Sequence, residues 1–323
     1  VCSNPTPVRE IGPDTLISRA TALVSTYETA SNPELIQHLP EAAADLGDLC
    51  PPPAPATGLY VLRGLPVDDA GLGATPPHWS DASPERTAVW DVAMLLLAAT
   101  AGRPFGWEGQ QDGRLVHDIV PSRGHEHGQT GASSTVTLAA HNEDAFHHGR
   151  AHLMLLGCLR NPDRVATSAA AVRHTDLDGA DIETLSAPVL PILPDDAYDE
   201  ARGSALEPPR VPTLWQGEDG LCLRFDPAYT PLEQAGPGYR AAYGRLGREL
   251  ERVRTGVRLD PGDVLVIDND AVVHGREPFR ARYDGTDRWL KRVNVRLPDR
   301  ARPPAEATEH GYGQRPIDPC QER

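Results

Sequence analysis

A chain of 323 residues can bury a sizeable core in one or two domains. Its formal charge of −15 argues against nucleic acid or an anionic membrane surface as a partner, and leaves a cationic small molecule open. Proline (32) and glycine (29) are high, which suits a loop-rich, β-containing enzyme better than a helical bundle.

Residues 1–13 read as an irregular lead-in, without the basic and then apolar regions of a signal peptide. Asp14 is an N-cap candidate for a helix to about Tyr27, with Leu16, Ala20, Leu23, Val24 and Tyr27 on one face. Asn32-Pro33-Glu34 opens a second short helix, Asn32 as cap and Pro33 in the first position. Pro51-Pro52-Pro53-Ala54-Pro55 is a stiff connector. Residues 58–65 read as a strand and 66–84 as a loop; Ser83-Pro84-Glu85 then opens a helix that ends near Gly102. Its middle, residues 92–99, is the longest apolar run and too short to cross a bilayer.

From Gly106 onward the texture changes to short β-like runs broken by Gly, Pro and Asp: 114–120, 135–140, 152–159, 165–172, 189–193, 220–225, 264–267 and 292–296. One helix interrupts them at about 239–253, with Tyr239, Tyr243, Leu246, Leu250 and Val253 as its apolar stripe. The pattern predicts a mainly β fold with added helices, a sandwich or barrel. One domain over 1–323 is expected: a mostly helical part, 1–105, packed on a core at 106–300 that carries a helical insert near 238–254. The five cysteines are scattered and never form a CxxC pair, so a reducing cytoplasm is the expected setting. Lys291 is the sole lysine among 31 basic residues.

The chemistry gathers around His141-Asn142-Glu143. A histidine and a carboxylate two residues apart face the same way if the segment is extended, and together they can hold a metal ion. His147 and His148 lie close enough to compete. His274, which ends the strand-like run Val264-Leu265-Val266-Ile267-Asp268-Asn269, is the candidate for a third corner. Two imidazoles and one carboxylate on one side of a metal make the facial triad of non-haem Fe(II) oxygenases. Arg288 follows fourteen residues after His274; if Asp284-Gly285 is a hairpin tip, it returns beside the metal strand. A guanidinium fork there suits the far carboxylate of a dicarboxylic co-substrate, and Arg292 on the same strand face suits a second carboxylate.

The blocks Gln110-Gln111-Asp112-Gly113-Arg114-Leu115-Val116, His141 to Phe146, Leu159 to Asp163 with Val165-Ala166-Thr167, and Val273-His274-Gly275-Arg276 through Tyr283 to Arg292 carry a resemblance. Over about residues 107–297 the chain resembles the clavaminate synthase-like Fe(II)/2-oxoglutarate-dependent oxygenases, nearest to free-arginine hydroxylases such as the arginine β-hydroxylase of viomycin biosynthesis. The resemblance implies a double-stranded β-helix (jelly-roll) core, with Fe(II), 2-oxoglutarate and dioxygen as cofactor and co-substrates. It implies His141, Glu143 and His274 as iron ligands, and Arg288 with Thr167 on the C5 carboxylate of 2-oxoglutarate. It further implies Arg292 on the substrate α-carboxylate, Gln110 and Glu143 near the α-amine, and Asp226 against a guanidinium. Where those hydroxylases carry a second acid two residues after Asp226, this chain has Ala228; where they carry a serine ten residues before the first ligand, it has Gly131.

The expected function is hydroxylation of a free L-amino acid at C3, arginine or an arginine-like basic one, in antibiotic or other secondary metabolism. One carboxylate facing a guanidinium in place of two keeps a shorter or cyclised side chain open. Desaturation or cyclisation, and a carrier-bound or non-basic amino acid, are alternatives within the same chemistry. A jelly-roll isomerase or hydrolase using Zn or Mn is the alternative from another class, and it has no need of Arg288 at this spacing. A binding protein without catalysis has no use for an intact triad and both arginines.

Overall fold

In the computed structural model, which describes residues 5–195, 198 and 207–317, the N-terminal third alternates helix and strand. It contains β1 (Val8–Glu10), α1 (Asp14–Tyr27), α2 (Pro33–Ala43), β2 (Leu59–Arg63), the single turn α3 (Asp69–Leu72) and α4 (Pro84–Ala101). Then come β3 (Arg103–Trp107), β4 (Val116–Ile119), β5 (Leu138–His141), β6 (Leu153–Arg160), β7 (Thr167–Ala171), α5 (Gly179–Ser186), β8 (Leu214–Gly217) and β9 (Gly220–Leu223). The chain continues through α6 (Pro237–Val253), β10 (Thr255–Val257), β11 (Val264–Asp268), β12 (Val272–Arg276), β13 (Trp289–Arg296) and β14 (Pro316–Ile317).

Local chemistry accounts for the helices. The Asn32 side chain accepts from the backbone N–H of Glu34 and Leu35, with Pro33 at the first position of α2. Helix α1 begins at Asp14 itself and has no side-chain cap. Helix α4 is buried on all sides from Val92 to Ala98, as a helix apolar all round must be. The stripe of α6 is buried as its period requires, with Tyr239, Tyr243, Leu246 and Leu250 in one cluster and Val253 against it.

Two sheets face one another in a jelly-roll core. The larger has the order β1-β2-β11-β6-β13-β3-β14, with β4 also paired to β13; the smaller has the order β10-β7-β12-β5. Every pair except β1–β2 is antiparallel. Because side chains alternate, the central strands β2, β11, β6 and β13 serve two cores. Leu59, Val61, Met154, Leu156, Leu265, Ile267 and Leu290 point between the sheets. Tyr60, Leu62, Leu153, Leu155, Val264, Val266 and Val293 point outward, under α1, α2 and α4.

Several expectations need correction. The run at 189–193 forms no strand, only one isolated bridge between Leu190 and Val211. His274 does not end the strand-like run: that run is β11, a turn follows, and His274 lies on β12 in the opposite sheet. The turn is fixed by Asp268, whose carboxylate accepts from the backbone N–H of Asp270 at 3.0 Å. Asp284-Gly285 is likewise no hairpin tip, since β12 and β13 belong to different sheets; the segment between them crosses from one sheet to the other. Arg288 therefore stands across the core from β12, not beside it.

Candidate functional site

The site lies between the sheets. His141 at the end of β5 and His274 on β12 are direct cross-strand partners, with ring centroids 4.5 Å apart. Glu143 lies beyond the end of β5, in a turn, so strand alternation is not what brings it to the histidines. Two buried asparagines do this. Asn142 donates to the carbonyls of Asn269 (2.6 Å) and Val272 (3.3 Å) and accepts from the Phe225 N–H (2.8 Å). Asn269 accepts from the Glu143 N–H (2.8 Å) and donates to the carbonyls of Glu143 and Ala151 (both 3.0 Å). One ligand atom each from His141, Glu143 and His274 lies within 4.8 Å of the others, the one such group among the described residues.

The donor set fits iron. The His141 Nδ1–H donates to the Ala139 carbonyl at 2.8 Å, which leaves the Nε2 lone pair free. The Nε2 of His274 lies 3.5 Å from Glu143 Oε2, and its Nδ1 is buried without a hydrogen-bond partner. Burial and His141 hold the His274 imidazole down at about 4, so it is neutral and able to ligate. Burial alone would raise the Glu143 carboxyl, but Arg292 and then His274 pull it below the usual carboxylate range. Two imidazoles and an ionised carboxylate are a 2-His-1-carboxylate set.

Thr167, Arg288 and Arg292 line the same cavity, of about 60 Å³, together with Gly131, Arg276 and the three candidate ligands. The Arg288 Nη2 donates to Thr167 Oγ1 at 3.2 Å, and its Nε is buried and unpartnered. No carboxylate among the described residues pairs with it, and burial pushes its guanidinium down to about 10. Such a buried, uncompensated cation is a fitting seat for an anionic co-substrate. Arg276 adds a second guanidinium to that wall. It is pushed to about 10 by burial and by Arg288, and it donates to the Ser133 carbonyl, to Ser133 Oγ (3.2 Å) and to the Val136 carbonyl (2.9 Å).

Arg292 is held differently. It donates through Nη1 to Glu143 and through Nη2 to Gln110 Oε1 (2.9 Å) and His117 Nδ1 (2.8 Å). Asp226 is buried, and its carboxyl is raised by burial against the pull of His141 and of the Ala228 and Tyr229 backbone N–H groups. No cationic side chain forms an ion pair with it among the described residues. His147 and His148 stack on each other at 4.4 Å, and His147 bonds to the Gln314 carbonyl, away from the triad. Asn142, Asn269, His117 and Arg276 carry no spacing signal of their own. Asn142 sits between two candidate ligands, which was its one visible hint.

Residues 203–294 match the family described as taurine catabolism dioxygenase TauD, TfdA family. The enduracididine beta-hydroxylase of Streptomyces hygroscopicus is 42% identical over 262 residues, 74% of this chain and 76% of that one. The L-ornithine/L-arginine 3-hydroxylase of Catenulispora acidiphila is 34% identical over 306 residues, 84% and 88% of the two chains. This chain belongs to the TauD, TfdA family. The non-heme iron oxygenase OrfP, in complex with Fe and alpha-ketoglutaric acid, superposes with a TM-score of 0.80 at 38% identity, covering 90% of this chain and 93% of its own. The same enzyme with Fe, succinate and (3S)-hydroxy-L-Arg gives a TM-score of 0.81 at 36% identity, with 90% and 94% covered. The protein is an amino-acid oxygenase that uses Fe(II), 2-oxoglutarate and dioxygen. No helix among the described residues is long and apolar enough to cross a membrane.

Proposed function

We propose that this oxygenase hydroxylates a free L-amino acid with a cationic side chain, arginine or an arginine-like one, at C3. His141, Glu143 and His274 hold the iron. Arg288, with Thr167, grips the C5 carboxylate of 2-oxoglutarate. Arg292 grips the substrate α-carboxylate, Gln110 and Glu143 stand by the α-amine, and Asp226 faces the side-chain cation. Iron, 2-oxoglutarate and dioxygen supply the oxidation that replaces hydrogen by hydroxyl. The chain's own task is position: the clamp at the α-carbon end presents one C–H bond to the metal, and the closed apolar wall of Ile119, Met154, Leu156 and Leu290 keeps bulk water away.

The observation that carries the reading is the spacing of charge along one cavity wall. A guanidinium without a carboxylate partner among the described residues, Arg288, sits four residues before a guanidinium beside the three candidate ligands, Arg292, and lines the same cavity. A free α-carboxylate suits Arg292, whereas a carrier thioester has none to offer. A basic side chain is supported by the buried, cation-free Asp226 and by the substrates in the relatives' names: enduracididine, ornithine and arginine. The enduracididine hydroxylase also supports a place in antibiotic metabolism. Cys50, Cys158 and Cys222 are buried free thiols, which supports a reducing cytoplasm, and the charge of −15 gives no reason to add nucleic acid or membrane.

The test is succinate release by the Fe(II)-loaded protein with 2-oxoglutarate and dioxygen, across arginine, lysine, ornithine, enduracididine, asparagine and histidine, with mass spectrometry of products. Strong stimulation by a basic member, with a product heavier by one oxygen, is expected. Stimulation by asparagine alone, or by none of the six, overturns the basic free amino acid.

A further inference from the structure

We infer that His117 is a positioning residue for this reaction: an uncharged acceptor that fixes the Arg292 guanidinium in the orientation that receives the substrate carboxylate. The inference rests on Arg292 being the α-carboxylate clamp.

The geometry begins with strand register. His117 on β4 and Arg292 on β13 are direct antiparallel partners, so both side chains project from the same side of the sheet into the site. The His117 ring is buried and its nitrogens have distinct duties. Nε2 faces the Arg114 carbonyl at 2.9 Å; a carbonyl only accepts, so Nε2 carries the proton. Nδ1 is left as a lone pair, and it lies 2.8 Å from Arg292 Nη2. Burial and the neighbouring guanidinium hold this imidazole down at about 3, which keeps the acceptor in place at any working pH.

The choice of acceptor matters. A guanidinium has five N–H groups. The two on Nη2 serve Gln110 and His117, both uncharged, and one on Nη1 serves Glu143. The second Nη1 hydrogen and the buried, unpartnered Nε remain for a ligand. An aspartate in place of His117 would also accept, but it would neutralise the cation and compete with the incoming carboxylate. A neutral acceptor orients the fork without adding a second carboxylate to the one that Glu143 already supplies. Gln110 reaches the same nitrogen from a turn in which Gln111, Asp112 and Gly113 have φ of 45°, 56° and 75°, and the Gln111 side chain clamps the Asp118 backbone at 2.9 Å on both N–H and carbonyl. The turn and β4 are thereby one unit, and His117 is its rigid point on Arg292.

The experiment uses three variants. His117→Leu removes the acceptor; His117→Asn restores one near the Nδ1 position; Arg292→Met removes the clamp. Amino-acid binding is read by calorimetry on the Mn(II)-loaded protein with 2-oxoglutarate, where no turnover occurs. The probe is L-arginine, or the panel member that stimulates succinate release most, with its α-carboxamide. We expect His117→Leu to weaken amino-acid binding roughly ten-fold or more, the scale of a hydrogen bond to a charged group. Its 2-oxoglutarate affinity should stay unchanged, and its ratio of succinate to hydroxylated product should rise because a looser clamp misaims the C–H bond. His117→Asn should recover most of the binding. The carboxamide should bind His117→Leu and the parent alike. Unchanged binding in His117→Leu, or an equal loss for acid and carboxamide, overturns the inference. Arg292→Met separates the two levels: if it leaves binding intact, the clamp reading fails; if it weakens binding while His117→Leu does not, His117 alone is misassigned.

Discussion

Strand β13 carries cations on both its faces, and the two faces treat them in opposite ways. Lys291 points outward under α4, where it pairs with Asp118 at 2.7 Å and Asp91 at 3.0 Å and also donates to Thr87 Oγ1 at 3.1 Å. Asp118 is its direct cross-strand partner. One ammonium there faces two carboxylates. On the inner face, Arg292 has one carboxylate, which doubles as a candidate metal ligand, and Arg288, just before the strand, has none among the described residues. The outer cation is saturated by its own protein, as a buried charge that serves only the fold must be. The inner cations are left short of counter-charge, and the shortfall is what ligands of opposite charge are expected to fill. The sole lysine in an arginine-rich chain thus stands on the structural face, where a compact ammonium fits a narrow gap between strand and helix.

The contrast predicts which substitutions damage chemistry and which damage the fold. The largest effect belongs to the triad: Glu143→Ala or His274→Ala should abolish succinate release and iron retention while circular dichroism stays that of the parent. Retained turnover in either variant would break the assignment of the inner face. Next comes Lys291→Met. It leaves buried Asp91 without a cation and Asp118 with only Arg114, at 3.9 Å, and should lower stability by about 3–5 kcal/mol, read by urea denaturation. Arg288→Met, one residue before the same strand, is the mirror experiment. It removes a guanidinium that has no acid partner, so stability should hold or rise, while 2-oxoglutarate affinity falls about ten- to a hundred-fold by calorimetry. If Arg288→Met unfolds the protein as Lys291→Met does, the two faces are not different in kind.

The same contrast explains what could be read from sequence. Helices α1, α2, α4 and α6 were legible because caps, prolines and apolar stripes are local. That His141, Glu143 and His274 come together beside both arginines was legible because the motif blocks around them are long. Strand β12 was not: His274 was placed at the end of the run from Val264 to Asn269, and only the turn fixed by Asp268 shows that the chain changes sheets before it. That change of sheet is a tertiary fact, and it moved Arg288 from beside the metal strand to across from it. His117 was invisible for a related reason. Its role comes from pairing with a strand whose Arg292 lies far along the chain, and no spacing within β4 records it. Lys291 was visible as an anomaly, but its two acids come from α4 and β4, which the pattern of residues 289–296 does not reveal.

The finest test of the outer face is its pH dependence. Two carboxylates surround one ammonium, and the further cation, Arg114, reaches Asp118 only at 3.9 Å, so Asp91 is the carboxylate less well neutralised. Burial pushes the Asp91 carboxyl up to about 6, with Lys291 opposing and Asp118 adding to the rise. The sign follows from linkage. Between the ordinary carboxylate range and about 6, folded Asp91 holds its proton while the unfolded chain has released it, so the folded state binds more protons. The contribution of Asp91 to stability is therefore fully present at the acid end of this window and declines as pH rises through it, by at most about 1.4 kcal/mol per pH unit. Asp91→Asn should flatten that part of the stability curve and leave Lys291 paired to Asp118. Urea midpoints taken across the window for both proteins decide it. An identical slope in the variant would mean that the less well neutralised charge resides elsewhere, on Asp118 or in the inner face, and that the outer cation is less completely neutralised than its distances imply.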